Sequence, residues 1–77
     1  MQQYDVVRST GERDEKIAVI DALSLEEAHA IAKVRFQESI KAGETLYTFQ
    51  SVGTLKFDEN DRFILPQGQM MSIQKWE

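Results

Sequence analysis

Apolar and polar positions first follow a period of two, then a helical period, then a period of two again, and those changes divide the chain into elements. Residues 3–9, QYDVVRS, alternate as a strand does, and residues 16–22, KIAVIDA, form a second apolar run. The charged, glycine-containing GERDE between them supplies a loop, so the two runs predict a first hairpin.

Ser24 is followed three residues later by Glu27, the capping-box spacing in which a hydroxyl and a carboxylate satisfy orphan backbone N–H groups. A helix is predicted from there over 25–42. Glu26 and Glu27 suit the positive end of its dipole, Lys41 suits the negative end, and Gly43 supplies a left-handed residue to stop it. At 100° per residue, Leu25, Ala28, His29, Ala32, Phe36 and Ile40 share one stripe, expected to face a sheet, with Glu27, Lys33, Glu38 and Lys41 elsewhere. Small Ala28 and Ala32 let the helix lie close to the strands. Phe36 and Leu25 are expected to supply most of its apolar area, so Phe36→Ala should cost several times what a surface change costs.

Residues 45–57 return to period two and are rich in Thr, Tyr, Phe, Val and Leu, with Gly53 marking a bulge or bend. RFILP and MMSIQKWE give two further strand candidates, separated by the turn chemistry of Pro66-Gln67-Gly68. The order β-β-α-β-β-β predicts an α+β domain: an antiparallel four- to five-stranded sheet with one helix packed on one face. With no repeat, low-complexity tract or linker, residues 1–77 are expected to form a single domain.

Between LKF and RFIL stand Asp58, Glu59, Asn60 and Asp61, four residues that suit a hairpin bend. A calcium loop needs oxygen ligands spaced along twelve residues, an internal glycine and a closing glutamate, whereas Arg62 and Phe63 follow here. The bend is the better reading, and no metal or other cofactor is expected.

Composition narrows the function. A 77-residue chain buries only about 60% of the surface its unfolded form exposes, so the core is thin and leaves little room for an internal active site. Cysteine is absent, which removes disulfides and thiolate metal sites and suits a reducing cytoplasm. Leader-like and membrane-spanning patterns are also missing from the sequence, so a soluble, cytoplasmic protein is expected. The net charge is −4, and Lys and Arg are scattered, so a phosphate-tracking surface is not expected.

Few constellations carry chemistry. His29 is the only histidine and has no cysteine to join it, so a triad or a histidine-rich zinc site cannot be assembled and an acid or base role would have no nucleophile beside it; Glu26 and Glu27 are adjacent on a helix and point about 100° apart, so they do not converge on one substrate. Glycines stand singly at 11, 43, 53 and 68, without a phosphate-binding nest. Tyr47 and Phe49, two apart on a strand, share a face. Without basic neighbours they are expected to pack under the helix rather than to stack on nucleic-acid bases.

A second, narrow apolar ridge remains on the helix at Ala30, Ile31 and Val34, away from the main stripe. Exposed there, it is either ordinary surface or the face that meets a protein partner or a second copy, and Trp76 either closes the core edge or serves as a further binding anchor.

The run Ala22-x-Ser24-Leu25-x-x-Ala28-x-x-Ile31-Ala32, with two strands before the helix and a β-rich remainder, resembles a small phage-encoded anti-CRISPR family that blocks the type I-F surveillance complex. The resemblance in letters covers about eleven of the 77 positions. It implies the fold and a role as a small inhibitor acting by binding in the host cytoplasm. Basic helix residues do the binding in that family; the aligned positions here are His29, Ala30 and Val34, none of them a fixed cation, so no binding residue is carried over. The acidic balance instead suits a surface that mimics nucleic-acid phosphate to a basic partner. The expected function is thus non-enzymatic protein binding, with an aromatic nucleic-acid-binding face and a His29-based enzyme as the competing readings.

Overall fold

The computed structural model describes residues 1–51, 56–60, 62, 64 and 70–74. Strand β1 spans Gln2–Ser9, β2 Asp14–Ala22, helix α1 Leu25–Phe36, β3 Thr45–Gln50 and β4 Met70–Gln74. Among the described residues the sheet has four strands in the order β2-β1-β3-β4, each pair of neighbours antiparallel. The α+β class holds. The helix packs against all four strands and carries the chain from β2 past β1 to β3.

The first hairpin turns on Thr10, whose Oγ1 accepts from the backbone N–H groups of Glu12 and Arg13 at 3.2 and 3.1 Å. Its partner strand contains an irregularity: Val6 pairs with Ala18 and Val7 with Lys16, leaving Ile17 as an extra residue. A bulge places two successive side chains on related sides of a strand. Ile17 and Ala18 accordingly both pack against the helix-side core, which a regular alternation forbids.

That core joins Tyr4 and Val6 of β1, Ile20 and Ala22 of β2, Leu46 of β3, and Ala28 and Ala32 of α1, with Ile40 from the connection. The two helical alanines are fully buried, so their small side chains let the helix backbone approach the strands.

The helix begins where its capping residues place it. Ser24 Oγ accepts from the Glu27 N–H at 3.2 Å, and the Glu27 carboxylate accepts in return from Leu23 N–H, also at 3.2 Å. The end differs from expectation. The α-helix stops at Phe36 and tightens into a 3₁₀ turn over Gln37–Ser39, where Ser39 Oγ donates to the Phe36 carbonyl at 2.9 Å. Ile40 is then extended and buried, so the chain gives up helix to place a large side chain in the core. Gly43, at φ +86°, makes the turn from Lys41 to Glu44 rather than the helix stop. Phe36 is only partly buried; Phe49, Ile40 and Leu46 are the largest fully buried side chains.

Strand β3 ends at Gln50, short of the expected Phe57, which forms an isolated bridge. Backbone bonds from Asp58 N–H to the Arg62 carbonyl and from Ile64 N–H to the Lys56 carbonyl, both 2.8 Å, show the chain doubling back there. Asp58 Oδ1 accepts from the N–H groups of Asn60 and Arg62 at 2.8 and 3.0 Å, so this carboxylate is engaged in shaping the bend. Of the expected RFILP strand only Arg62 and Ile64 are described, neither in a strand; Gly53 and the Pro66–Gly68 turn lie outside the described residues.

Tyr47 and Phe49 share a face as expected, but not the face beneath the helix. Cross-strand pairing sets them beside Val7 and Asp5, and Val7, Phe49 and Tyr47 form a cluster separate from the helix-side core. One-residue alternation explains the correction, since Leu46 and Thr48 take the inward positions.

Candidate protein-binding surface

The outer side of α1 follows from the same geometry that buries its inner side. At 100° per residue, Ala30 and Val34 lie roughly 140–180° from the mean Ala28–Ala32 direction, while Ile31 lies about 80° away. Ala30 and Val34 are exposed, and Ile31, on the boundary, is half-buried against the core. The structure therefore brings together the three ridge residues, with a correction at Ile31: it belongs to both surfaces. Trp76 lies outside the described residues.

Val34 is 85% exposed. An isolated exposed valine is ordinary, but this one belongs to an open patch on one side of α1 formed with Ala30 and Ile31 and bordered by Glu27 and Arg35. Its centre is apolar and its ends are charged. Glu27 is anchored by the cap at the helix start, and Arg35, in the last turn, takes part in none of the ion pairs among the described residues. A desolvated apolar middle with a charged margin is the usual layout of an interface.

The other candidate residues fall elsewhere. Phe49 is 1% exposed, which removes it as a stacking platform for a base, and only Tyr47 of that pair is partly open. His29 is half-buried, with Nδ1 out of contact with water and without a hydrogen-bond partner. Among the described residues no group of three His, Asp or Glu side chains gathers where a metal ion could sit, and no helix is long and apolar enough to cross a membrane.

Arg62 was not legible as a key residue. Its guanidinium donates to Thr10 and Gly11 carbonyls at 2.7 and 2.9 Å, to Ser9 Oγ at 3.2 Å and to Asp14 Oδ1 at 2.9 Å. These bonds fasten the 56–64 bend to the β1–β2 hairpin. Residues 48 to 53 positions apart make them, beyond any local pattern.

Comparison with protein-family models, with curated proteins and with solved structures gave no match. The functional argument therefore rests on this chain's own surface.

Proposed function

We propose that the domain is a non-enzymatic protein-binding module whose contact face is the outer ridge of α1. The observation that supports this most is Val34, an apolar side chain left almost wholly in water within an apolar patch of the helix surface. The partner this patch suits best is a second copy. Two helices laid antiparallel about Ile31 set Glu27 of each, four residues before it, against Arg35 of the other, four residues after it. The charges are thus self-complementary, and Ala30 is small enough for close approach. Inhibition of a larger bacterial complex, the role implied by the resemblance to the phage anti-CRISPR family, fits the same mode of action, because it requires occupying a surface and no chemistry.

Sedimentation over a concentration series tests the reading. Wild type should associate reversibly, and Val34→Glu should sediment as a monomer with an unchanged circular dichroism spectrum. A wild type that stays monomeric throughout, and is indistinguishable from Val34→Glu, would remove self-association as the ridge's role.

A further inference from the structure

The sheet ends at β2, which has β1 on one side and no strand on the other among the described residues. Nine residues long, it is an edge of the kind that recruits another strand unless something blunts it. Two devices that commonly do so are present, an exposed lysine at Lys16 and the bulge at Ile17. A lysine, however, repels an approaching edge only when no acid on that edge meets it.

Measured along β1, the bulge changes what stands where. Lys16 lies opposite Val7, Val19 opposite Asp5 and Asp21 opposite Gln3. Those three residues of β1 alternate, so Lys16, Val19 and Asp21 share the face away from the helix, with Val19 midway between the two charges. Without the extra residue, Ile17 would hold the place of Lys16. Lys16 and Asp21 are exposed and enter none of the ion pairs among the described residues, and Val19 is 43% exposed. The edge therefore presents, in order, a free cation, an open apolar side chain and a free anion.

We propose that β2 pairs antiparallel with β2 of a second copy, about a two-fold axis at Val19. Val19 then meets Val19 of the other copy, and Lys16 of each meets Asp21 of the other. On the helix side Ala18 falls opposite the other copy's Ile20, and Glu15 opposite its Ala22, so no like charges face each other. Neighbouring registers fail. An axis at Lys16 or Asp21 sets a charge against itself, one at Ala18 sets Asp21 against Asp14, and one at Ile20 sets Asp21 against Val19 and pairs no charges. The contact is a single strand edge interrupted at Ile17, so by itself it is weak, with a millimolar dissociation constant; Val34→Glu accordingly stays monomeric at the micromolar concentrations of sedimentation. The inference does not rest on the ridge reading, for it uses the sheet edge instead of α1. Where both contacts form, each chain carries two different two-fold contacts and association does not stop at a pair.

The test uses the full ¹⁵N-labelled chain carrying Val34→Glu, which disables the ridge. On raising its concentration from tens of micromolar to millimolar, the NMR signals of the Ala18, Val19, Ile20 and Asp21 amides should shift together along one dimerisation curve. Adding Lys16→Asp to this chain leaves only acids at the two charged positions, and adding Asp21→Lys to a separate sample leaves only bases. Each alone should pair at least about tenfold more weakly than the parent, whereas an equimolar mixture of the two should pair at least as tightly as the parent. Both chains stay net acidic, so overall charge does not draw them together. Absence of a concentration-dependent shift in β2 at millimolar, shifts confined to α1, or a mixture that behaves as its separate components would overturn the proposal. If a charge variant fails to fold, the concentration series of the parent still decides. A wild-type ridge that proves not to associate leaves the β2 shifts as they are, so the two readings fail separately.

Discussion

The two faces of the sheet are built differently. The helix-side face is apolar apart from the buried Thr48, drawing Tyr4, Val6, Ile20, Ala22 and Leu46 from three strands under Ala28, Ala32 and Ile40. The far face also buries large side chains, Val7 and Phe49, but sets them among the buried carboxylates Asp5 and Asp14. One face is thus stabilised by area removed from water, and the other needs hydrogen bonds and an ion pair as well. Burial without direction suits a scaffold. Polar contacts on the second face are directional, and they fix where the bend meets the first hairpin.

The sharpest way to break this comparison is Phe49→Ala. Phe49 is 1% exposed and belongs to the far-face cluster, so truncation should cost about 3–5 kcal/mol, as for other buried aromatic residues. Chemical denaturation measures it. A loss under about 1 kcal/mol would mean that the far face contributes little and the helix-side core alone sustains the fold. Phe36→Ala, partly buried at the end of α1, should cost less than Phe49→Ala, contrary to the weight its place on the helical stripe suggests.

Arg62→Ala should come next. It removes four donor contacts and leaves Asp14 Oδ1 without this ion-pair partner, while the side chain's 37% exposure moderates the loss. A cost of about 1.5–3 kcal/mol is expected, in the range of hydrogen bonds to charged groups. The companion variant Asp14→Asn in the Arg62→Ala background should cost less than the sum of the two single changes, because the residues share one interaction. Strict additivity would show that the Arg62 bonds to Ser9, Thr10 and Gly11 hold the bend without help from the ion pair.

Local features of the fold were legible and cross-strand ones were not. Ser24 and Glu27 marked the start of α1 because capping acts within four residues, and Ala28 and Ala32 marked its inner face because helical period fixes direction. The end of the helix is not legible, because a stripe extended to Ile40 has the same letters whether the residue is helical or extended; burial of Ile40 decides it, and that depends on the sheet. Period two told that Tyr47 and Phe49 share a side without telling which, since the register with β1 sets it. Asp5 carried no signal at all. A polar residue between Tyr4 and Val6 is what a half-exposed strand contains, and its burial follows from β1 lying inside the sheet between β2 and β3. The ridge at Ala30, Ile31 and Val34 was readable from periodicity, apart from the half-buried state of Ile31, whose boundary position depends on how closely the two alanines let the helix approach.

Ser24→Ala gives the smallest expected effect and tests whether the helix is a separable lid on one face. The change deletes the Oγ that accepts from Glu27 N–H, and it loosens the Glu27 side chain that accepts from Leu23 N–H. Because these groups are exposed, water can replace part of what is lost, and the cost should be about 1 kcal/mol. Hydrogen exchange reads out where that energy goes. If α1 opens separately, amides in its first turns should lose protection while Val7 and Phe49, on the far face, keep theirs. Equal loss at both places would show that the helix and the two sheet faces unfold as one unit, so that the difference between the faces is one of composition and not of stability.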